Sequence, residues 1–469
     1  MKNVKLVLLF ALVWAVQPLL ATDFDKAFEE SKKIEQQIKR TSFPGRVYNI
    51  VDFGAKADDP TFACHEAINL AIITCNQEGG GTVLVPDGTF YTGPITLKSN
   101  VNLHLSDKAT LKFLTDQKLY FPGVITRWEG VDCYNAHPLI YAYQAENIAL
   151  TGEGTLDGQG SKTDWWYMKG GRHKIEGMPD QITSGGRARL FGAAENETPV
   201  EERIMTPADA LRPPFVSFMN CTSALIEGVY ITNSPFWVIH PIFCQDLIVR
   251  GVRINSHGPN NDGCDPESCK NVLIENCVFD TGDDCIAIKS GRNNDGRKWN
   301  IPSENIVVRR CQMKDGHGGV VVGSEISGGY RNLYVEDCEM DSPNLDRVVR
   351  IKTNACRGGV IENLFVRNVR VNECNEAVMR INLLYEPNED CNAAFPPVVR
   401  NVYLSNVTSQ KSKYGIIIDG FEGKANVYNI HVTDCEFNNV SKGNTRISGM
   451  TENICLDNLK INGEVVELQ

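Results

Sequence analysis

A short motif of alternating apolar and polar positions recurs along the C-terminal half of the chain. Each copy begins with a polar residue, often Asn, continues through alternating apolar positions and ends in a turn of Gly, Asn or Asp. Such alternation, bounded by turn residues, is typical of short β-strands. The pattern predicts nine repeated strand segments, which begin at Ser223, Asp246, Asn271, Asn305, Asn332, Asn363, Asn401, Asn429 and Asn453.

The regularity of these copies distinguishes between two all-β architectures. Successive copies begin 23 to 38 residues apart. A β-sandwich does not require the same motif in successive strands, whereas a parallel β-helix builds one coil from each repeat. Variable spacing then gives loops of variable length on one side of the coils, where a site would be built. We therefore predict an all-β, single-domain, right-handed parallel β-helix over residues 46–469.

The segment before the first coil has a different pattern. Apolar residues recur at helical spacing in the charged segment 22–45, and residues 65–75 form a second helical pattern. The open end of a β-helix exposes unpaired backbone groups, which an amphipathic helix would cover. We therefore predict an N-terminal helical cap. The first pattern consists of Phe24, Phe28, Ile34 and Ile38.

The repeat is interrupted between residues 161 and 211. This stretch is rich in Gly, Glu and Arg, and Trp165 and Trp166 lie near its start. It is too long for an ordinary connection between strands. We predict a large insertion that covers one face of the β-helix, without a separate second domain.

The first residues resemble a signal peptide. Lys2 and Lys5 precede an apolar run from Leu6 to Val16, and Ala21 offers a cleavage position. The run is too short to span a membrane. We predict a leader over residues 1–21, export to the periplasm or the exterior, and no membrane anchor.

The charge balance narrows the range of partners. The chain has a formal net charge of −11. Binding to nucleic acid depends on neutralising phosphates, so an acidic chain is a poor candidate for it. An anionic polymer as substrate would require a local basic patch against this overall charge.

The 16 cysteines do not suggest a regular disulfide framework. Cys277, Cys311, Cys338 and Cys435 occupy the same place in their repeats, as small apolar side chains stacked inside a solenoid would. Most thiols are therefore expected to be free and buried. Because no CxxC pair occurs, zinc is not expected, and the sequence indicates no other metal or cofactor.

Three carboxylates provide the strongest chemical signal. Asp283 and Asp284 are adjacent at the start of an apolar strand, and Asp262 lies 21 residues earlier, close to one coil. Like charges this close raise one another's pKa, which can leave one acid protonated and another ionised. His317 follows Asp283 by 34 residues, so it falls on the next coil.

Basic residues continue the same register. Arg350 follows His317 by 33 residues, and Tyr385 follows Arg350 by 35. Arg350 and Lys352 alternate in a strand, so both face the same side. Together with Lys289, they predict the basic patch that an anionic substrate needs. The alternative is that Arg350 pairs with an acid of the protein.

Four strings in this register resemble the signature of the family 28 glycoside hydrolases, the polygalacturonases. They are Asn-x-Asp at residues 260–262, Asp-Asp at 283–284, Gly-His-Gly at 316–318 and Arg-Ile-Lys at 350–352. All four occur in order, and the likeness extends from about Arg46 to the C-terminus. The middle residue of the first string is Asn261, where the family often has Thr.

The resemblance implies a role for each matching residue. Asp283 would be the general acid, Asp262 and Asp284 would activate water, and His317 would assist the acid. The sugar carboxylate would be bound by Arg350 and Lys352, and Tyr385 would contact the substrate. The family implies hydrolysis of α-1,4-linked galacturonic acid with inversion. Further candidates for substrate binding are Lys289, Asn260, His257 and His240.

The mode of cleavage depends on the shape of the cleft. The string from Phe236 to Pro241 resembles exo-acting bacterial members of the family, and the insertion could close one end of the cleft. We therefore predict release of galacturonate from the non-reducing end of a pectic polysaccharide or oligogalacturonide by a monomeric enzyme. The alternatives are an endo-polygalacturonase, a hydrolase of another pectic galacturonide, a calcium-dependent pectate lyase, and a non-catalytic carbohydrate-binding solenoid.

Overall fold

The computed structural model describes residues 17–466, with side chains from residue 24 onward. The apolar run of the predicted leader, residues 6–16, lies outside the described residues. Among the described residues, no helix is long and apolar enough to cross a membrane.

Four α-helices occur in the described part of the chain, two of them before the first long run of strands. They are α1 (Gln17–Gln37), α2 (His65–Gln77), α3 (Gly186–Glu195) and α4 (Asn293–Trp299).

The strands fall into two groups, separated by the insertion. Before it lie β1 (Val47–Asn49), β2 (Gly81–Val85), β3 (Gly88–Thr92), β4 (Ile95–Thr96), β5 (Val101–Leu105), β6 (Ala109–Phe113), β7 (Val124–Trp128), β8 (Val131–Asn135), β9 (Ile140–Tyr143), β10 (Glu146–Gly152) and β11 (Thr155–Asp157). After it lie β12 (Val216–Met219), β13 (Thr222–Glu227), β14 (Tyr230–Thr232), β15 (Gln245–Arg250), β16 (Arg253–Ser256), β17 (Lys270–Glu275), β18 (Val278–Thr281), β19 (Ile286–Ile288), β20 (Ser303–Arg309), β21 (Gln312–Met313), β22 (Val320–Val322), β23 (Tyr330–Glu336), β24 (Glu339–Met340), β25 (Arg347–Lys352), β26 (Val360–Val371), β27 (Ala377–Asn382), β28 (Val398–Ser409), β29 (Ser412–Asp419), β30 (Val427–Thr433), β31 (Glu436–Phe437), β32 (Val440–Ser448), β33 (Thr451–Asp457), β34 (Lys460–Ile461) and β35 (Glu464–Val465).

Strands of successive coils pair in parallel, which confirms the predicted parallel β-helix. One large sheet contains 24 strands, and β19, β22, β25, β27, β29 and β32 form a second sheet. Within a column, equivalent positions of the repeat align; Val272 of β17 pairs with Ile306 of β20, which pairs with Leu333 of β23. Because strands in a sheet lie about 4.8 Å apart, residues one coil apart in sequence become neighbours in space.

The polar residue that opens each repeat has a structural cause. Asn271, Asn305, Asn332 and Asn363 all adopt positive φ angles of 56° to 63°. Asn tolerates this left-handed conformation better than most residues. Each side-chain amide also donates to the amide oxygen one coil earlier, at 2.9 to 3.1 Å from Asn305 to Asn363. The repeat therefore begins with Asn because it both turns the chain and joins the coils.

The cysteines line the interior of the coils. Cys277, Cys311, Cys338 and Cys435 are all at most 2% exposed. Fourteen of the cysteines are free, and a disulfide joins Cys356 to Cys391. The expected free, buried thiols are thus the majority, and the disulfide ties a long loop rather than the core.

The two N-terminal helices cover different surfaces. Helix α2 packs against β1, β2, β4 and β5 of the first coils, where a cap is needed. Helix α1, from the predicted segment 22–45, packs against the outer side of the middle coils, chiefly β17 and β20. It lies there because the outward positions of these strands are apolar. The contact consists of Phe28, Ile34 and Ile38 with Ile248, Leu273, Val307 and Tyr334.

The insertion lies between β11 and β12, close to the predicted range of 161–211. It contains α3 and short 3-10 turns, the first at Trp166–Lys169. Both tryptophans anchor it, since Trp165 is 3% exposed and the indole of Trp166 donates to the carbonyl oxygen of Ser234 at 2.9 Å. The insertion is therefore packed on the coils that precede the acidic residues.

Replacing one Asn within the ladder is expected to destabilise the fold. Asn332→Ala removes two hydrogen bonds and strains the left-handed backbone, at a cost of about 2–4 kcal/mol. Asn332→Gly removes the same bonds without the strain, so its midpoint of thermal unfolding should fall less. Asn453→Ala, at the exposed end of the ladder, serves as the control with the smallest loss. Equal midpoints for wild type and Asn332→Ala would contradict this account.

Candidate active site

The acidic residues of the candidate site lie in turns on successive coils. Asp262 follows β16, and Asp283 and Asp284 connect β18 in the large sheet to β19 in the second sheet. His317 occupies the equivalent turn between β21 and β22. One oxygen from each of the three aspartates lies within 4.8 Å of the others. Parallel register thus brings the three carboxylates together, as the spacing in sequence predicts.

The basic residues lie on the adjoining coils, and together they line a cleft of about 540 Å³. Arg350 and Lys352 both belong to β25, and Tyr385 follows β27 on the next coil. The guanidinium of Arg350 lies 5.5 Å from the ring centroid of Tyr385, and the ammonium of Lys352 lies 5.4 Å from it. One side of the cleft is therefore basic and carries an aromatic surface.

Asp284 is held by both basic residues of β25. Its carboxylate accepts from Nη1 of Arg350 at 3.3 Å and from Nζ of Lys352 at 2.6 Å. Asp284 is fully buried, while Arg350 and Lys352 are 9% and 7% exposed. Burial opposes charge on Lys352, but Asp284 raises the pKa of this lysine. Arg350 therefore forms an ion pair with an acid of the protein, which was the alternative to substrate binding. This ion pair lies at the border of the cleft.

Asp283 contacts the histidine on the next coil. Nδ1 of His317 lies 2.9 Å from Oδ1 of Asp283. This contact raises the pKa of His317 to about 9. Burial raises the pKa of Asp283, but the hydrogen bond and positive charge of His317 outweigh it and lower that pKa. In the free site, the pair therefore consists of an ionised Asp283 and a protonated His317 near neutral pH.

The pKa of Asp262 shifts in the opposite direction from that of Asp283. Asp262 is 3% exposed, and its Oδ1 has no hydrogen-bond partner. Burial, and then the nearby charge of Asp283, raise its pKa well above the usual value. The ammonium of Lys289, at 3.5 Å, compensates only in part. The three carboxylates thus differ in charge as expected, but the proton is favoured on Asp262 in the free site.

Lys289 lies beneath the carboxylates. It is 2% exposed, and its ammonium also pairs with Glu325 at 3.1 Å and lies 4.2 Å from the ring centroid of Trp237. This position favours a role in compensating the charge of Asp262 over direct binding of a sugar. Glu325 was not singled out from the sequence, although it follows Lys289 by one coil.

Two of the candidate binding residues are not brought into the cleft. His240 is fully buried, and its Nε2 lies 2.7 Å from Glu267. Burial lowers the pKa of His240. His257 is exposed and is not among the residues that line the cleft; it pairs with Asp280 at 3.1 Å. Both had been candidates for substrate binding, and the structure places neither among the residues that line the cleft.

Asn260 and Asn261 have different environments. Asn260 lines the cleft, and its Oδ1 accepts from the buried guanidinium of Arg212 at 2.9 Å. Asn261 is fully buried and hydrogen-bonds at both ends of its amide, accepting from Gly258 and donating to the carbonyl of Phe236. The residue that departs from the usual family string therefore holds the turn and does not face the cleft.

Two clusters among the described residues have donor atoms close enough for a metal ion. One is formed by the three aspartates of the cleft, and the other by His257, Asp280 and Asp315. In the first cluster each aspartate already lies beside a cationic side chain of the protein. A Ca²⁺ ion there would have to displace or be repelled by these cations.

The opposite end of the cleft is formed by the insertion and by a hairpin turn. The insertion contributes residues 169–173, Ile182 and Arg187, and the turn between β7 and β8 contributes Glu129. Arg187 pairs with Glu129 at 2.9 Å. No signal in the sequence identified these residues, because the insertion does not follow the register of the repeat.

Comparison with known proteins agrees with this arrangement. The family model for glycosyl hydrolases family 28 matches residues 207–456. A probable polygalacturonase of Vitis vinifera is 28% identical over 394 residues, covering 80% of this chain and 72% of the relative. An exo-poly-alpha-D-galacturonosidase of Dickeya chrysanthemi is 27% identical, covering 78% of this chain and 62% of the relative.

Among solved structures, a hyperthermoactive exopolygalacturonase from Thermotoga maritima is 40% identical, with a TM-score of 0.87. The superposition covers 93% of this chain and 96% of that one. The matched family segment contains all four strings that line the cleft, and it makes up more than half of the chain. The chain therefore belongs to family 28 of the glycosyl hydrolases.

Proposed function

We propose that the protein is an exported exo-polygalacturonase that hydrolyses α-1,4-linked galacturonic acid from the non-reducing end of pectic chains. The observation that carries the proposal is a cleft whose lining combines Asp262 and Asp283 with two cations. Those cations, Arg350 and Lys352, hold the buried Asp284. Hydrolysis of a glycoside requires a proton donor and a base for water. A guanidinium and an ammonium beside them are suited to a sugar that carries a carboxylate.

Each residue then has a defined part in the reaction. Asp283 transfers a proton to the leaving glycosidic oxygen. Asp284, which forms ion pairs with two cations, accepts the proton of the attacking water. Asp262 orients that water. Tyr385, Arg350 and Lys352 bind the galacturonate on the leaving-group side. Lys289 and Glu325 support Asp262 from below.

The proton that Asp283 transfers is stored on His317. In the free site the 2.9 Å contact holds one proton, and the low pKa of Asp283 keeps it on the imidazole. A bound galacturonate brings a further negative charge to Arg350 and Lys352 and competes with Asp284 for them. Added negative charge raises the pKa of a nearby carboxyl group. Lys352 lowers the pKa of Asp283 in the free site, so a sugar carboxylate that neutralises its ammonium would bring the pKa of Asp283 closer to that of His317. Substrate binding would in this way ease transfer of the proton from His317 to Asp283.

Exo action is supported by the side chains that the insertion and the β7–β8 turn contribute to one end of the cleft. The wall that contains Glu129 and Arg187 lies on the coils before Asp262, opposite the side of Tyr385. A chain bound with its leaving-group sugar at Arg350 has room before the wall for its terminal sugar. The Thermotoga maritima relative, an exopolygalacturonase, is 40% identical over nearly the whole chain. Endo cleavage would need this end to be open.

The products of polygalacturonate hydrolysis test the proposal directly. We expect galacturonate monomer as the only early product, measured by anion-exchange chromatography. An early ladder of oligomers would contradict exo action, and unsaturated products would indicate a lyase. The Asp283→Asn variant should lose at least about 100-fold in kcat, because general acid catalysis contributes this much or more.

The anomer released first tests the stereochemistry. We propose inversion, because both oxygens of Asp284 face cations and are poor nucleophiles towards carbon. The nearest oxygens of the three aspartates lie within 4.8 Å, nearer the about 5–5.5 Å of retaining enzymes than the about 6.5–9.5 Å of inverting ones. Inversion is therefore supported by the cations that hold Asp284 and not by this spacing. If the reaction inverts, proton NMR during the first turnovers will detect β-galacturonate before mutarotation. Initial release of the α-anomer would contradict inversion.

The pH dependence of activity tests whether His317 holds the proton that Asp283 transfers. Because the pKa of His317 is raised to about 9, the Asp283–His317 pair keeps its proton below this pH and loses it above. The kcat/KM of the wild type should therefore fall as pH rises through about 9. In His317→Gln this alkaline limb should move, with kcat about 100-fold lower. An unchanged limb in the variant would show that another group supplies it.

A further inference from the structure

One cation in the wall of the cleft lacks a protein partner. Lys169 ends the 3-10 turn at Trp166–Lys169 and lines the cleft. Within the described part of the chain, its ammonium makes no hydrogen bond or ion pair. The other lysines of the cleft differ, since Lys289 pairs with Asp262 and Lys352 pairs with Asp284. Lys169 is therefore the lysine of the cleft whose charge is available to a ligand.

The charged neighbours of Lys169 lie largely at the end of the cleft that the insertion and the β7–β8 turn form. Burial lowers its pKa, as do Arg212 and Arg187, whereas Glu129 and Asp283 raise it. Of these neighbours, Glu129, Arg187 and Arg212 precede Asp262 in the chain, whereas Asp283 also acts on Arg350 and Lys352. Glu129 and Asp283 compensate this partly buried ammonium without a hydrogen bond or ion pair, and burial still lowers its pKa. An incoming anion in direct contact would therefore be favourable.

Glu129 occupies a fixed position in the same wall. It lies in the tight turn between β7 and β8 with a φ of 44°. The next residue, Gly130, accepts a backbone hydrogen bond from Arg292 at 2.9 Å, and a side chain there would clash with Arg292. The carboxylate of Glu129 pairs with Arg187 and retains capacity to accept hydrogen bonds from hydroxyl groups.

We propose that Lys169 binds the carboxylate of the non-reducing terminal galacturonate, while Glu129 accepts a hydrogen bond from a hydroxyl of the same sugar. The inference rests on the proposed function and adds to it a second position that binds a sugar carboxylate. Arg350 and Lys352 bind the carboxylate of the sugar on the leaving-group side, and Lys169 binds that of the sugar that is released. The insertion thus selects the acidic sugar as well as closing the cleft.

A pair of trisaccharides tests the role of Lys169. One is trigalacturonate, and the other carries a methyl ester on its non-reducing terminal residue alone, which removes the charge at that position. We expect the wild type to prefer the free acid by about 10- to 100-fold in kcat/KM, as for a hydrogen bond to a charged group. In Lys169→Met this preference should fall towards unity through loss of activity on the free acid. Lys169→Arg should retain most of it.

Lys174→Met is the matched control. Lys174 lies in the same insertion, pairs with Glu176 and does not line the cleft, so its preference should equal that of the wild type. An unchanged preference in Lys169→Met, with wild-type activity intact, would overturn the inference. Failure of the wild type to release galacturonate from trigalacturonate would instead contradict the proposed function. If Lys169→Met does not fold, Lys169→Gln provides the same comparison.

Discussion

The contact of Asp284 with Arg350 and Lys352 is the constraint on which the site depends. The carboxylate is fully buried, and the two cations that meet it come from one strand two coils later. Removing one member of such a buried group leaves an uncompensated charge, which costs about 3–5 kcal/mol. The coils must therefore keep their register, since slipping β25 by one residue would turn both cations away from Asp284.

The same stacking explains the composition of the cleft. Side chains on neighbouring coils lie about 4.8 Å apart, so an acid and a base one coil apart in sequence become an ion pair. Asp283 with His317, and Lys289 with Glu325, follow this rule. An acidic protein thereby builds a locally basic surface without a run of basic residues. The wall contributed by the insertion is the exception, since it supplies a charge from outside the repeat.

Residues that follow the repeat could be placed in the site from the sequence, whereas residues of the insertion could not. The Asn of each repeat, its spacing and the positions of Asp262, Asp283 and His317 follow one register, so the β-helix and the meeting of these side chains were predictable. Lys169 and Glu129 were not, because an insertion and a hairpin turn carry no periodic signal. His240 was a poor candidate, because the fold buries it against Glu267 and does not place it in the cleft.

The charge state of the aspartates also required the structure. Sequence spacing indicates that three acids meet, but their protonation depends on which partner each one contacts. His317 approaches Asp283 and draws the proton to itself, while Asp262 has only a distant ammonium and favours the neutral form. A site arranged in this way is not ready to donate a proton from Asp283 until charge is added beside it. Under the proposed function, a sugar carboxylate would supply that charge, which would join recognition of an acidic substrate to activation of the acid.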